Sequence, residues 1–423
     1  MTDEWYLPGS KWWKFDFHTH TPKSNDYGHG DESFKNIKPE EWLRKAMESG
    51  LDCVAVTDHN AGGWIDELKA KNKELRECGT RSVWYKELTI FPGVEITVGD
   101  SGRRVHLLAV FDPSCDSQKA NGVLGACGIT SDHGDDQKTS TTKSFIDTVQ
   151  IITKEGGVAI AAHIDGSKGL LEGITTLTPE LEKSLNEIVA AEFCDLHKFD
   201  NGEPTLKKEV GRLAKVAGSD AHKPEEIGRY FSWLKMSRPS IEGLRLALMD
   251  HEFCVKNQSE NPNRLPDIFL SKLTIKDMRH CGRISGQPFV IKLHPHFNSI
   301  IGGRGTGKST VLESIRIVSR RDQNLAVEAP RVKNELDRFM QLSQNKGVML
   351  NETEILLELH RRGKNYQLRW RFDGQGATLE EKVNGAWQEV EAADLSVRFP
   401  TSIFSQKQIN ELASNPRGLL EIV

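Results

Sequence analysis

Two segments, Phe15-Asp16-Phe17-His18-Thr19-His20 and Ala217-Gly218-Ser219-Asp220-Ala221-His222, decide how the first half of the chain is read. Each sets two metal-type side chains at spacing i, i+2, and in an extended segment that spacing puts both on one face. Outward from them, Asp26, His59, Glu95, His106 and His163 stand in or beside further apolar runs, which makes nine donors within the first 222 residues. A lone histidine on an apolar face is more often a packing residue than a ligand. Here, however, Thr57-Asp58-His59-Asn60, Pro92-Gly93-Val94-Glu95 and Ser219-Asp220-Ala221-His222 close successive apolar runs, a regularity that chance does not supply. Imidazole and carboxylate suit Zn²⁺, Mn²⁺ or Fe²⁺, and the donors exceed what one tetrahedral ion can use, so two or three divalent ions are expected.

Apolar runs at 53–56, 90–94, 105–111, 158–162, 188–193 and 216–218 alternate with helix-like stretches such as 39–49 and 142–155. Alternating βα units argue for a parallel sheet or barrel. Ligands at the carboxyl ends of successive strands then converge on one mouth, where barrel enzymes keep their sites. Divalent ions there lower the pKa of a bridging water and neutralise phosphate charge, so phosphate ester hydrolysis is the reaction class expected. The attacking group would be metal-bound water, and no side-chain nucleophile is singled out.

On these residues, 14–250 resemble a PHP domain (polymerase and histidinol phosphatase), a distorted seven-stranded β/α barrel of metal-dependent phosphoesterases. The resemblance implies that His18, His20, Glu95 and Asp220 hold one ion. It also implies that Glu95 bridges to a second ion held by His106 and His163, and that Asp26, His59 and His222 hold a third. The polar stretch 112–140, with His133 beside Asp132, Asp135 and Asp136, reads as a long solvated loop and is assigned no ligand. Lys23, Lys168, Lys198, Lys223 and Arg229 follow ligand islands or strands and could line a groove, with Arg229 a weak candidate for gripping phosphate.

Far downstream, Gly302-Gly303-Arg304-Gly305-Thr306-Gly307-Lys308-Ser309-Thr310 satisfies the P-loop pattern, between a strand-like 297–301 and a helix-like 311–318. Its amides would cradle the phosphates of ATP, Lys308 would reach the β and γ oxygens, and Ser309 would place its hydroxyl on Mg²⁺. Strand-like 269–275 and 288–293 precede it, and Ser402-Ile403-Phe404-Ser405-Gln406 follows. This arrangement resembles the amino-terminal lobe of the SMC, Rad50 and RecN group of ABC-type ATPases. That resemblance implies a γ-phosphate-sensing role for Gln406, with Gln408 as competitor. Arg304 and Thr306 differ from the commoner Asn and Ser of that group's loop. No strand closing in Asp-Glu and no Ser-Gly-Gly signature follows, so a carboxyl-terminal lobe in cis or trans is expected to complete the ATPase, through an ATP-sandwiched homo-oligomer.

Residues 1–267 carry 33 basic and 43 acidic side chains, and residues 268–423 carry 23 and 17. The densest basic cluster, Arg361, Arg362, Lys364, Arg369 and Arg371 near Tyr366 and Trp370, reads as a charged hairpin edge turning at Gly363-Lys364-Asn365, with nucleic-acid contact the alternative. Seven dispersed cysteines without C-x-x-C spacing indicate neither a disulfide framework nor a cysteine zinc site. Without a signal-like or spanning apolar run, a cytoplasmic protein away from membranes is expected. The domains expected are an α/β PHP barrel over 1–256, a polar linker over 257–267 and a partial ABC/SMC-like lobe over 268–423, with 319–349 as a mobile insertion. Fusion of the two resembles the TrlF-type PHP and ATPase proteins of bacteria, which implies an ATP-controlled nuclease in defence against phage or plasmid DNA. The alternative is a small-molecule phosphatase with a regulatory ATPase domain.

Overall fold

The computed structural model describes residues 7–79, 82–131 except 101–102, 133–195, 203–281, 286–323, 325, 330–374, 376–391 and 395–413. They fall into two compact units, a first of Ser10–Asn263 and a second of Arg264 onward, with which the residues up to Gly9 group.

In the first unit the apolar runs form strands β1 (Lys11–Thr19), β2 (Cys53–Val56), β3 (Thr89–Asp100), β4 (Arg103–Val110), β5 (Val158–Ala161), β6 (Ala190–Glu192), β7 (Ala214–Val216), β8 (Ser232–Met236) and β9 (Val255–Lys256). They make one nine-stranded sheet in the order β7-β6-β5-β4-β3-β2-β1-β8-β9. A parallel bridge from Thr19 to Ala221 and the Ala217 N–H donating to Ser232 Oγ at 2.8 Å draw the two ends of the sheet together. The result is the expected distorted β/α barrel, nearly closed. Its distortion lies in β4, which runs antiparallel to both β3 and β5, in β8, which adds antiparallel to β1, and in β9, which adds antiparallel to β8.

Because side chains alternate across a strand, each strand feeds two cores. Phe15, Phe17, Cys53, Ala55, Leu108, Ile160, Ala190 and Val216 fill the barrel interior, closed at one end by Leu244, Ala247 and Leu248 of helix Ile241–Met249. Val54, Val56, Ile96, Leu107, Ala161 and Ala191 face outward onto the surrounding helices, which include Pro39–Glu48 and Phe145–Lys154. The helices start where the chemistry of the first turn allows. Pro39 is pre-set for a helical φ, and Ser144 accepts the Asp147 N–H.

Two expectations change here. The stretch 112–140 is not one long loop: Ser117–Ala126 is helical, capped by Asp116 accepting from the Gln118 N–H, and buries Ala120, Val123 and Leu124. The polar stretch from 257 is no free tether as far as Asn263. The Asn257 amide bonds Ser232 Oγ and the Lys215 carbonyl, and Asn263 pairs with both backbone groups of Trp12 at 2.8 and 2.7 Å.

The second unit is built on an antiparallel sheet in the order β11-β10-β12-β13-β14-β15. Its strands are β10 (Ile268–Met278), β11 (Phe289–Lys292), β12 (Met349–Arg361), β13 (Lys364–Arg371), β14 (Gly376–Val383) and β15 (Ala386–Val390). One face (Leu273, Ile275, Leu357, Leu368, Leu379) packs beneath helices Lys308–Val318 and Pro330–Phe339. A helix therefore stands in part of the stretch expected to be a mobile insertion. The β12–β13 turn is Arg362-Gly363, both at positive φ (47° and 80°), one residue earlier than expected, because a two-residue type I′ turn pairs Arg361 with Lys364. Of the basic cluster, Lys364, Arg369 and Arg371 pair with glutamates on neighbouring strands, while Arg361 lies over Phe399. Arg369 reaches Glu354 and Glu380, Arg371 reaches Glu354, Lys276 reaches Glu354, and Lys364 reaches Glu381. The charged-edge reading therefore accounts for these residues.

Leu234 is fully buried in the barrel interior, far along β8 from the ligand-bearing strand ends. Leu234→Ala should destabilise the unit by about 2–5 kcal/mol, read as a lowered first transition in calorimetry of the whole chain.

Candidate metal centre

The parallel strands deliver their donors just past their carboxyl ends. His18 and His20 come from β1, His59 from the loop after β2, His163 from that after β5, Glu192 from the last residue of β6, and Asp220 and His222 from the loop after β7. Glu95 stands midway along β3. His106 arrives from the amino-terminal half of β4, whose reversed direction brings that end to the same mouth. Backbone strain gathers here: Asn60, His163, Lys168 and Asp220 all take positive φ (45°, 25°, 57° and 48°), a region non-glycine residues seldom occupy without compensation.

All nine expected donors are brought together, and Glu95 lies at their centre. Its Oε2 is 3.2 Å from His18 Nε2, 3.5 Å from His20 Nε2 and 2.7 Å from His59 Nδ1. Its Oε1 is 2.6 Å from His106 Nδ1 and 3.2 Å from His163 Nε2. Asp220 Oδ1 is 3.2 Å from His20 Nε2 and 3.5 Å from His18 Nε2. At the outer side Asp26 Oδ2 stands 3.3 Å from His59 Nε2 and 3.1 Å from His222 Nε2. Candidate groups of three that could hold an ion overlap across the mouth: His18, His20 and Glu95; His59, Glu95 and His106; His20, His59 and His222.

These residues fit a cation better than they fit one another. His59 Nδ1, Glu95 Oε2, both ring nitrogens of His106, and His222 Nε2 are buried, close to other donors and acceptors, yet lack any hydrogen-bond partner. Buried polar atoms left this way are costly unless something else satisfies them. The tautomers also suit metal. His18 Nδ1 faces the Glu192 carboxylate at 2.8 Å and His222 Nδ1 faces the Asp220 carbonyl at 3.0 Å, both pure acceptors, so each Nδ1 carries the proton. Ser24 Oγ spends its proton on Asp58, so it accepts from His20 Nδ1 at 2.9 Å. In all three rings Nε2 is left with its lone pair toward the centre. Burial works against ionising Glu95, but the imidazoles of His106, His18 and His59 outweigh it and hold the carboxyl well below its usual range.

A second layer of carboxylates holds the ligand loops. Asp16 accepts the N–H groups of Ser219, Gly228 and His18, joining β1 to the loop after β7. Asp58 accepts from the N–H and hydroxyl of Thr21 and from Ser24. Burial raises both carboxyls to about 6 against those hydrogen bonds. Gly218 is required by close approach, since a Cβ there would meet Glu192 Oε1 and His18 Cβ at 2.6 Å.

Sequence reasoning missed two residues. Glu192 closes an apolar run as Glu95 does, so the same signal was present. Asp136 gave none and was read as part of a solvated loop, yet it is buried, within donor range of Asp26 and His59, and bonded by Lys168. The loop is held there by Gly134 N–H donating to the His59 carbonyl, Asn25 N–H to the Gly134 carbonyl, and the Asn60 amide to the Asp135 carbonyl. Of the expected groove cations, Arg229 spends its Nε on the Ser219 carbonyl and lies 3.5 Å from Glu226. Lys223 lies over Phe34, Lys23 lines a cavity of about 630 Å³ with Gly62, Gly63, Asn121 and His133, and Lys198 falls outside the described residues.

In the second unit the glycine-rich loop forms and caps helix Lys308–Val318 through Gly307 at φ 91°. Lys308 Nζ donates to the Gly302 and Gly303 carbonyls at 2.6 Å, and Thr306 Oγ1 to the Gly303 carbonyl. Arg304 and Ser309 are exposed, and Thr310 is half-buried at the start of the helix. The strand expected over 297–301 is absent: those residues are irregular, with Phe297 and Ile301 largely exposed. Gln408 is buried and accepts from the buried Arg316 guanidinium at 3.2 Å, whereas Gln406 is exposed at the start of helix Gln406–Ala413.

Residues 210–250, which carry Asp220, His222 and the barrel-closing helix, match the family model described as PHP-associated. No curated protein matches the chain. Among solved structures, one described as a metal-dependent phosphoesterase from Bifidobacterium adolescentis is 17% identical with a TM-score of 0.37, over 55% of this chain and 95% of that one. An amidohydrolase from Chromobacterium violaceum with bound sulfate and no metal is 17% identical with a TM-score of 0.34, over 51% and 89%. A structure described under SMC ATPases is 19% identical with a TM-score of 0.26, over 36% and 98%. The PHP-associated match and the donor cluster together support a PHP-type metal-dependent phosphoesterase.

Because Glu192 orients His18 and also accepts the His163 N–H at 2.9 Å, Glu192→Ala should lower metal affinity about 10–100-fold. Glu192→Gln, which keeps one acceptor oxygen, should lose less. Metal titration of the stripped protein measures both.

Proposed function

We propose that the first unit hydrolyses phosphate esters with two or three divalent ions, and that its substrate is nucleic acid, under control of a nucleotide-binding second unit. The observation that carries the reaction class is the nine-donor mouth centred on Glu95, with buried donor atoms that lack a hydrogen-bond partner and that a cation would satisfy. His18, His20, Glu95 and Asp220 would hold one ion. Glu95, His106 and His163 would hold a second, and Asp26, His59 and His222 a third. Ions bound there would activate water and neutralise phosphate charge. The chain's own contribution is to fix ligand direction through Glu192, Ser24 and the Asp220 carbonyl, and to hold the loops through Asp16 and Asp58.

Support for a nucleic-acid substrate is the resemblance of the second unit to DNA-acting ATPases and the presence of Lys23, Lys223 and Arg229 near the ligand loops. One observation favours a second reading, a small-molecule phosphomonoesterase: the 133–137 segment is bonded onto the ligand loops and narrows the mouth. The two separate on metal-loaded protein assayed in parallel on linear DNA, RNA and a phosphate monoester. Nucleic-acid cleavage that falls steeply with added salt supports the first. Turnover of the monoester alone supports the second.

Since Glu95 serves more donors than His106, Glu95→Ala should strip more metal and abolish hydrolysis more completely than His106→Ala. Metal analysis beside the hydrolysis assay checks this, and metal content of native protein below one ion per chain would refute the polynuclear reading. For the P-loop, Lys308→Ala should remove ATP binding measured by calorimetry. The wild-type chain should bind ATP weakly and turn it over slowly until a second ATPase lobe is supplied, and rapid turnover by this chain alone would contradict that arrangement.

A further inference from the structure

We propose that Lys168 is the side chain that grips a non-bridging oxygen of the substrate phosphate, and that Asp136 is a resident stand-in occupying that oxyanion position until substrate displaces it. The inference rests on the phosphoester reading above and assigns residues it leaves unassigned.

Lys168 lies on the irregular segment after β5. Its carbonyl accepts the His106 N–H at 2.9 Å and its N–H donates to Glu172 Oε2 at 2.9 Å, so its backbone is locked beside a ligand. It does so at φ 57°, a conformation a lysine seldom takes, and the surrounding bonds are what hold it there. Its side chain is three-quarters shielded from solvent, and its ammonium donates to Asp136 Oδ2. A desolvated cation beside a cluster of metal ligands is what a phosphoryl group in transfer requires.

Asp136 makes the argument specific. Its carboxylate is 3.9 Å from His106 Nε2 and shares a possible cation position with Asp26 and His59, so it faces the ligands on one side and Lys168 on the other. An anionic oxygen between a lysine and a set of metal ligands is in the place of a bound phosphate oxygen. Both Asp136 oxygens also accept from the Gln137 amide, at 2.9 and 3.1 Å, and its carbonyl accepts from Arg104. The carboxylate is attached through an excursion between β4 and β5 whose backbone is bonded onto the ligand loops, so displacing it requires the side chain alone to turn away. The other expected phosphate cation, Arg229, is more exposed and has its Nε bonded to the Ser219 carbonyl.

The test is inorganic phosphate binding to the metal-loaded full chain by titration calorimetry, with metal content measured for every variant. Lys168→Met should weaken phosphate binding about 10–100-fold, the range expected for losing a charged hydrogen bond. Asp136→Asn should tighten it about three- to tenfold with metal content unchanged, because the competent state is no longer masked. The double variant should match Lys168→Met alone. Lys168→Arg, which keeps the charge, should stay near wild type and guards against a folding artefact. Unchanged affinity in Lys168→Met would overturn the proposal. So would weaker binding or lost metal in Asp136→Asn, which would make Asp136 a metal ligand. Lys168-dependent phosphate binding without hydrolysis of any ester would leave this assignment standing while the phosphoester reading falls. Hydrolysis indifferent to Lys168 would do the reverse.

Discussion

Glu95 is a carboxylate with no access to solvent, and the rest of the first unit is arranged to meet the demand that this creates. Burying an ionised carboxylate is costly unless positive charge or donors surround it. Here imidazoles from four different chain segments converge on its two oxygens, and several of their ring atoms have no protein partner. A cluster of this kind is unfavourable for protein alone and favourable around divalent ions. Metal binding and the integrity of the mouth are therefore one problem, and the barrel core beneath supplies the stability that the mouth lacks.

The scaffold solves the geometric part of that problem by strand direction. Parallel strands present their carboxyl ends at one face, which serves His18, His20, His59, His163, Asp220 and His222. The reversed β4 brings His106 from its amino-terminal half to the same face. Strain at His163, Lys168 and Asp220 is tolerated because Glu192, Glu172 and Asp16 tie down the segments that carry it. The excursion between β4 and β5 then adds a feature the barrel does not require, a carboxylate laid against the ligands and paired with a lysine.

The second unit divides its charge differently. Lys276, Lys364, Arg369 and Arg371 are matched by glutamates on neighbouring strands. Its glycine-rich loop is formed, with Lys308 turned onto the loop's own carbonyls, and Arg316 and Gln408 brace the segment that leads to Gln406.

Much of this was legible in the residues themselves. Apolar runs of strand length closing in His, Asp or Glu announce both the barrel and its ligands, because the hydrophobic pattern determines strand positions and a strand's carboxyl end determines where its last side chains go. The P-loop is likewise a local pattern whose glycines and lysine act within a single turn. Tertiary structure alone decided the rest. The direction of β4 depends on pairing with both neighbours, and the 297–301 segment has strand composition yet is irregular in the fold. Asp136 is polar, lies among polar residues and carries no periodic signal. Only the folding of its segment onto the loops of Asn25, His59 and Asn60 removes it from water and sets it beside Lys168, an interaction between residues 32 apart that no local pattern encodes.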